Sequence, residues 1–381
     1  MKFLQVTTII SPHQMPVSRC LVEKLGSENY RYAATSPIAT ERVAMGWECS
    51  STESWILNVA DDSAARKTYH AWWDEADVVF CATRDLDLLV SRVNQKKLTI
   101  YYSERWWKPP IGMLRMLHPG FARMGFKFRN LLKQPDFHYL PIGHFAGRDM
   151  ARLIDRTPSF PLWGYFPAIP ATPPTAGRND SEFIILNAGR MLAWKNINIL
   201  IRAFAFVHAQ QPSARLRLIG DGPEREKLAR LVETLNLTNV VSFETSKPMA
   251  EIWHMMSAAH VFVLPSNGYE GWGAVVNEAM TYGCAVVASD ATGSGVSMIQ
   301  DHENGRVFRS GDWKELGRIL LTLAQNPSLR NRLAANGQAE IYANWSPEVA
   351  ADRLIAFCAW HLGMNPGYTT PHNGPLSPYQ S

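Results

Sequence analysis

The stretch VFVLPSNGYEGWGAVVNEAMTYGCAVVASD, residues 261–290, decides the fold of this chain of 381 residues. It opens with a short apolar run, passes through a Gly-rich loop, and then shows helical spacing up to Gly283, a residue type that often ends helices. A second apolar run follows at residues 285–290. Buried strand, loop, helix and buried strand together form the repeating unit of a parallel sheet. The stretch therefore predicts an α/β protein.

The same alternation extends in both directions from this stretch. Further strands are predicted at FLQVTTII, VVFCAT and LTIYYS in the first half, and at FIILNAG, RLRLIGDGP and VVSFE in the second. A helix is predicted at PEREKLARLVETLN, with an apolar stripe of Leu228, Leu231 and Leu235. The two halves are separated by residues 160–181, which are too rich in Pro and Gly to hold a helix or strand.

We therefore predict two Rossmann-like, doubly wound parallel-sheet domains, residues 1–170 and 182–345, joined by a linker at 171–181. The carboxyl ends of both sets of strands are expected to face one cleft, where such folds bind ligands. Residues 346–363 are expected to form a helix that packs back on the first domain. The Pro- and Gly-rich tail, residues 364–381, is expected to be poorly ordered.

Composition narrows the class of protein. Apolar residues make up 46% of the chain and charged residues 19%, which is typical of a globular protein. No run of eighteen apolar residues predicts a membrane-spanning helix, and MKFLQVTTII reads as a first strand. The five cysteines show no CxxC spacing, which argues against a zinc site or a disulfide framework. We expect a cytoplasmic protein without a bound metal.

Glu270 and Glu278 stand out in the opening stretch, because they are carboxylates in a Gly-rich and apolar setting. Glu270 follows a strand and Glu278 lies within a helix, so the carboxylates are predicted on the order of 10 Å apart. That distance is too long for the carboxylate pair of a retaining glycosidase. It suits a ligand with vicinal hydroxyls at both ends, such as a nucleoside diphosphate sugar. Arg190 and Lys195, before a predicted helix, would supply its phosphate site.

Five motifs carry a family resemblance: GRMLAWKNINILIRAF, LRLIGDGPEREKL, VFVLPS, EGWGAVVNEAMTYGCAVVASD and ENGRVF. In this order and spacing they resemble the nucleotide-sugar-binding half of family 4 glycosyltransferases, retaining enzymes of the GT-B fold. The resemblance covers residues 182–310, whereas the first half is similar only in its βα layout. It implies a metal-independent enzyme that moves a sugar from a nucleoside diphosphate sugar to a hydroxyl of a glycan acceptor. The donor is a substrate, so no cofactor is implied.

The resemblance also implies roles for individual residues. Glu270 would bind sugar hydroxyls and Glu278 the ribose diol, while Arg190 and Lys195 would stabilise charge on the diphosphate. Backbone N–H groups of Gly271, Trp272 and Gly273 would contact the donor, and the base would lie near Thr245, Ser246 and Lys247. Thr245 stands where the family commonly has Gly, which puts backbone readout of the base in doubt.

The first half offers weaker candidates. The loop SPHQMPVSR lacks the paired glycines of the family, and its His13 either faces the cleft or caps the next helix together with Gln14. The family often has a His after its fourth strand, where this chain has Ser103 and Glu104. Asp85 and Asp87 have DxD spacing but open a predicted helix, so capping is preferred to metal binding.

The excess of positive charge lies in the first half. Residues 105–133 carry seven Lys or Arg and no acid, interleaved with Trp106, Trp107, Phe121, Phe126 and Phe128. Such a pattern suits an anionic membrane surface, with the rings at the depth of the lipid headgroups. A polyprenyl-diphosphate-linked glycan would then be the acceptor, in cell-surface polysaccharide synthesis at the inner face of the cytoplasmic membrane. A solvated basic face over an ordinary core is the alternative. Nucleic acid is not expected, because no recognition motif accompanies the charge.

Two other functions remain open at the level of sequence. A nucleotide-sugar epimerase of the same architecture would convert the donor without an acceptor. A non-catalytic sugar-nucleotide-binding partner would bind the donor without turnover. The donor sugar, base, linkage and oligomeric state are not encoded in any motif.

Overall fold

The computed structural model describes residues 1–38, 53–60, 62–83, 85–154, 160–174, 177–178 and 181–378. Cys49, residues 175–176 and 179–180 of the predicted linker, and the last three residues of the tail lie outside these ranges. The chain divides into two compact units, one comprising residues 1–168 and 344–381 and the other residues 169–343.

The first unit is built on a six-stranded parallel sheet. Its strands are β1 (Phe3–Thr7), β2 (Tyr30–Ala34), β3 (Ile56–Asn58), β4 (Val78–Cys81), β5 (Leu98–Ser103) and β6 (Phe137–Pro141), in the order β3-β2-β1-β4-β5-β6. The helices between them are α1 (Met15–Leu25), α2 (Ser63–Glu75), α3 (Leu86–Asn94), α4 (Pro119–Leu131) and α5 (His144–Ala151), with a 3₁₀ segment at Gly112–Leu117. β1 and β4 are buried along their whole length, as expected for central strands of a parallel sheet.

The second unit repeats this topology. Its strands are β7 (Phe183–Ala188), β8 (Ala214–Ile219), β9 (Val241–Glu244), β10 (Val261–Leu264), β11 (Ala285–Ser289) and β12 (Arg306–Phe308), in the order β12-β11-β10-β7-β8-β9. Its helices are α6 (Ile197–His208), α7 (Arg225–Thr234), α8 (Met249–Ala258), α9 (Val275–Thr281), α10 (Gly293–Ser297), α11 (Trp313–Gln325) and α12 (Pro327–Asn344), with a 3₁₀ turn at Ala193–Lys195. Both sheets therefore have the Rossmann strand order, and the predicted fold class is confirmed.

Local sequence explains how these helices begin and end. Asp85 caps α3, because its carboxylate accepts the backbone N–H of Asp87 and Leu88 at 3.1 Å each. Gly283, with φ +75°, follows the end of α9 as predicted. The apolar stripe of α7 faces the core through Leu228, which is buried.

The C-terminal segment belongs to the first unit. Helix α13 (Pro347–His361) packs against α1, with an ion pair of 2.8 Å between Lys24 and Asp352. The composition of the tail predicts poor order, but residues 373–378 are packed. Leu376 is fully buried and donates its N–H to Leu162 O at 2.7 Å, while Arg353 donates to Pro375 O at 3.1 Å. These contacts join residues that are distant in sequence, so the composition of the tail could not predict them.

The basic and aromatic segment at residues 105–133 differs from its sequence interpretation. Trp107 and Phe128 are buried in the core of the first unit, so the prediction that they lie at a lipid headgroup is wrong. Arg105 is also turned inward, since it pairs with the buried Asp149 at 3.4 Å. Asp149 accepts the backbone N–H of Trp107 at 3.0 Å as well. This buried network anchors the start of the segment.

In the described part of the chain, no helix is both long enough and apolar enough to cross a membrane.

Candidate active site

The candidate site lies where the second sheet reverses its strand order. β7 and β10 are neighbours there, with Val261 opposite Ile185. The chain leaves their carboxyl ends through two loops, residues 189–196 and 265–274, that lead to α6 and α9. Asn267 N donates to Trp194 O at 2.9 Å and ties the two loops together. Ligands of doubly wound folds bind at such a reversal.

Lys195 and Glu270 meet across these loops. Lys195 Nζ lies 2.5 Å from Glu270 Oε2, and Ser266 Oγ donates to the same oxygen at 2.9 Å. The two charged side chains are only 17% and 11% exposed. Lys195 Nζ also lies 4.6 Å from the centre of the Trp194 ring. The structure thus joins two predicted site residues into a nearly buried ion pair, and adds Ser266.

Arg190 is placed differently from Lys195. It follows β7 in the same loop, but its side chain is exposed and makes no ion pair or hydrogen bond within the described ranges. Its charge is therefore not neutralised by a neighbour. An exposed guanidinium of this kind can bind phosphate in a bidentate manner, through two parallel hydrogen bonds.

The backbone after Glu270 is held in one conformation. Ser294 Oγ donates to Trp272 O at 2.8 Å and to Gly273 O at 3.2 Å. On the other side, a Cβ at Gly293 would lie 2.3 Å from Gly271 O, so only glycine permits this approach. The N–H groups of Gly271 and Gly273 donate to no group in the described residues, and they can serve a ligand.

Trp272 does not act as a surface residue. Its side chain is only 1% exposed, and its indole N–H donates to Asn277 Oδ1 at 2.9 Å. The ring therefore anchors the loop to α9, while the contact predicted for Trp272 concerns its backbone.

Glu278 is the most unusual carboxylate of the site. It is 7% exposed on α9, and its Oε1 has no hydrogen-bond partner among the described residues. Burial raises the pKa of Glu278 to about 7, against an opposing effect of the Trp253 indole. The Trp253 indole N–H likewise lacks a partner of normal geometry in the described chain. Unsatisfied buried polar atoms are costly, and a bound ligand with hydroxyl groups would satisfy the carboxylate.

The loop predicted to lie near the base follows β9. Thr245 and Ser246 are exposed, and Ser246 N donates to Asp221 Oδ2 at 3.0 Å. Lys247 Nζ lies between two acids, at 3.5 Å from Glu244 and 3.7 Å from Glu251. Asp221 thus links this loop to the turn after β8.

That turn packs closely against the loop after β7. A Cβ at Gly220 would lie 2.2 Å from Gly189 O, and one at Gly222 would lie 2.5 Å from Met191 O. Met191 N also donates to Asp221 O at 2.8 Å. The glycines of the GDGP motif therefore position the loop that carries Arg190.

The candidates of the first unit lie near one another. The His13 ring is 6.2 Å from that of Tyr165, and the Tyr165 hydroxyl donates to Glu104 Oε1 at 3.3 Å. Ser103 lies at the end of β5, where its Oγ accepts the indole N–H of Trp106 at 3.2 Å. Gln14 occupies the N-cap position of α1, as the capping alternative predicted, but its side chain makes no capping hydrogen bond. Tyr165 was missed in the sequence, since no motif connects it to His13.

Sequence reasoning also missed residues of the second unit. Ser266 lies two residues after the end of the buried strand β10 at the sheet reversal, and that position is a usable signal. Trp253 and Ser294 carry no such signal, because they reach the site from α8 and α10 only through folding. Within the described residues, no three His, Cys, Asp or Glu side chains are grouped to hold a metal ion.

Comparison with known proteins identifies the fold class of this architecture. Two Rossmann-like sheets of this order define the GT-B class, and HepE of Anabaena, solved with UDP, has the same fold. Its TM-score is 0.68 at 18% identity, over 94% of this chain and 99% of that one. Residues 169–340 match the family model of glycosyl transferases group 1. The match spans slightly less than half of the chain, and in that part it confirms the resemblance to glycosyltransferases.

Curated relatives match part of the chain. A GDP-mannose-dependent monoacylated alpha-(1-6)-phosphatidylinositol monomannoside mannosyltransferase of Corynebacterium glutamicum is 28% identical over 58% of this chain and 55% of its own length. The lipopolysaccharide core biosynthesis glycosyltransferase LpsE of Rhizobium meliloti is 29% identical over 46% of this chain and 49% of its own. This chain thus spans about half the length of the curated relatives it matches.

Proposed function

We propose that this protein is a retaining, metal-independent glycosyltransferase that moves a sugar from a nucleoside diphosphate sugar to a hydroxyl of a glycan acceptor. The observation that carries this proposal is the buried carboxylate oxygen of Glu278, which has no partner among the described residues, on the helix that follows the loop of the Lys195–Glu270 pair. The Glu278 oxygen can accept hydrogen bonds from a diol, and the Lys195 cation can bind a diphosphate. Together they match a ligand that carries both groups. The match of residues 169–340 to a glycosyltransferase family supports this reading.

The donor would occupy the site from end to end. The ribose diol donates to Glu278, and the base lies near Thr245, Ser246 and Lys247. The diphosphate is bound by Arg190, by Lys195 and by the unused N–H groups of Gly271 and Gly273. Hydroxyls of the transferred sugar donate to Glu270. When the donor binds, Lys195 contacts the phosphate as well as Glu270. The Glu270 carboxylate can then accept hydrogen bonds from the sugar.

Catalysis would consist mainly of charge stabilisation. The acceptor hydroxyl attacks the anomeric carbon on the face from which the diphosphate leaves, and a phosphate oxygen takes its proton. Negative charge grows on the diphosphate as the bond to the sugar breaks. Arg190 and Lys195 stabilise that charge from positions that exist before the reaction, so little reorganisation is needed. His13, Ser103 and Glu104 remain the candidates for positioning the acceptor.

We propose a lipid-linked glycan as the acceptor, at the inner face of the cytoplasmic membrane in cell-surface polysaccharide synthesis. Support comes from the relatives' names, which mention a phosphatidylinositol mannoside and the lipopolysaccharide core. Both are anionic and held at a membrane, and the positive charge of the segment at residues 105–133 complements such an acceptor.

The test is thermal stabilisation by a panel of nucleoside diphosphates and their sugars. A ligand at about 100 times its dissociation constant adds roughly 2.7 kcal/mol to the free energy of unfolding. We expect one base to stabilise the wild type and the effect to be lost in Glu278→Ala. Glu233→Ala, an exposed glutamate on α7, is the matched control and should respond like the wild type.

Stabilisation of Glu278→Ala equal to that of the wild type would refute the ribose assignment. Incubation of the donor without acceptor then tests the enzyme class. A new nucleotide sugar would identify an epimerase, and product formed only with acceptor would support transfer.

A further inference from the structure

Exposed apolar side chains are concentrated in one part of the first unit. Of the nine large hydrophobic residues that are exposed in the described chain, five lie between residues 111 and 126. We call them the apolar surface: Ile111 (51% exposed), Met113 (42%), Leu114 (66%), Leu117 (81%) and Phe126 (67%). Exposed apolar residues scattered singly are normal, whereas a group of this kind marks an interaction site.

The elements that carry the apolar surface already have an inward face. The 3₁₀ segment Gly112–Leu117 packs on α4, where Met116 lies over Gly125. Met116 and Phe121 pack against the core of the unit, and Phe128 is fully buried. The five residues of the apolar surface are therefore not needed for that core.

Cations alternate with the residues of the apolar surface along the chain. Arg115 lies 5.9 Å from the centre of the Phe121 ring, and Arg123 is exposed on α4. Neither has an ion pair among the described residues. Lys127 pairs with Asp87 at 2.5 Å, and Lys108 pairs with Glu104 at 2.9 Å. The segment itself contributes no acid, so its net charge stays positive.

We infer that the apolar surface docks on an anionic lipid surface, with its aliphatic side chains below the headgroups and Arg115 and Arg123 at the phosphates. This inference rests on the proposed function, because a transferase with a lipid-linked acceptor works at a lipid surface. A second copy of the chain is disfavoured as occupant, since two identical positive surfaces repel each other. The inserted residues are thus the four aliphatic side chains at 111–117 together with Phe126, and not the buried Trp107 and Phe128 of the sequence pattern.

The experiment is cosedimentation of the full chain with vesicles. One set contains phosphatidylglycerol and phosphatidylcholine, and the other contains phosphatidylcholine alone. We expect binding to the anionic vesicles only, weakened when salt rises from about 0.15 M to 1 M, because the screening length falls from about 8 to 3 Å. Leu114→Ser/Leu117→Ser should weaken binding at least about tenfold. Arg115→Gln/Arg123→Gln should weaken it and reduce the salt dependence.

Met364→Ser is the matched control, because Met364 is 61% exposed outside the segment. It should bind vesicles like the wild type. Equal sedimentation of Leu114→Ser/Leu117→Ser and wild type, or no binding to anionic vesicles, overturns the inference. So does light scattering that shows a wild-type dimer converted to a monomer by the double variant, since the surface would then join two copies.

Nucleotide stabilisation of the same double variant separates the two proposals. Both exposed leucines lie in the first unit, so we expect the variant to bind the nucleotide like the wild type. Nucleotide binding without vesicle binding removes only the lipid inference. Vesicle binding without any nucleotide binding removes the proposed transferase and leaves a lipid-binding surface.

Discussion

Lys195 and Arg190 belong to one loop, but their surroundings predict different consequences of substitution. Lys195→Met leaves the nearly buried Glu270 without its cation, so we expect a loss of about 1 to 3 kcal/mol in the free energy of unfolding. Arg190→Met removes an exposed, unpaired cation and should change stability by less than about 0.5 kcal/mol. In the proposed mechanism each substitution removes a cation from the leaving diphosphate, so both should lower turnover by roughly a hundredfold. Urea unfolding and initial rates measure the two effects, and a normal rate in Arg190→Met would contradict the assignment.

Glu278 predicts a pH dependence of donor binding. The pKa of its carboxyl is raised from 4.5 to about 7, so a large share is protonated at neutral pH. If the ribose needs the ionised form, affinity for a nucleoside diphosphate sugar should be about tenfold weaker at pH 6 than at pH 8. Titration calorimetry of Glu278→Gln should show weak binding with no such slope. A wild type with equal affinity at both pH values would contradict this role.

The same ionisation has the opposite effect on stability: donor affinity rises with pH, whereas the free energy of unfolding falls. The folded chain keeps the Glu278 proton in a pH range where the unfolded chain has lost it. This group therefore lowers the free energy of unfolding as pH rises from about 4.5 to about 7. Relative to Glu278→Gln, the wild type should lose stability over that range, which urea unfolding at several pH values can measure.

At the scale of elements, the close approach of two loops predicts how much stability the protein loses when one methyl group is added between them. In Gly220→Ala the new Cβ would lie 2.2 Å from Gly189 O, and the residue would also keep φ +129°. Gly311, with φ +91° and nothing within 4 Å of its Cβ position, provides the control. Gly311→Ala should cost about 1 to 3 kcal/mol for backbone strain alone. Gly220→Ala should cost clearly more in urea unfolding, and its nucleotide affinity should fall; equal costs would show that the loops separate without penalty.

At the scale of the whole molecule, the chain crosses between its two units and returns. Deletion of residues 344–381 removes α13, whose Ala351, Leu354 and Phe357 are buried, and its contact of 3.1 Å between His361 and His138. We expect the first unit to lose its cooperative unfolding transition in calorimetry. The second unit is continuous in sequence, so its transition should remain and should still be raised by the nucleotide. Loss of both transitions would show that the second unit depends on the first.

The sequence alone determined the parallel α/β class and named the residues of the proposed donor site. Strands of the second unit are short and mostly apolar, and the loops between them carry Gly, Glu270 and Lys195 at recognisable spacing. Such patterns are local, because the period of a helix or strand and the chemistry of a turn depend on neighbouring residues. The capping role of Asp85 followed from the same local reasoning.

Only the tertiary structure decided which distant residues meet. Lys195 and Glu270 are 75 residues apart and pair because β7 and β10 are adjacent in the sheet. Trp253 faces Glu278, Tyr165 links His13 to Glu104, and Leu376 is buried in the first unit for the same kind of reason. The ring pattern at residues 105–133 was ambiguous, because the same basic and aromatic residues suit a core or a membrane. Packing turned Trp107 and Phe128 inward and left Leu114 and Leu117 outside, since burial depends on the surfaces that neighbouring elements offer and not on composition.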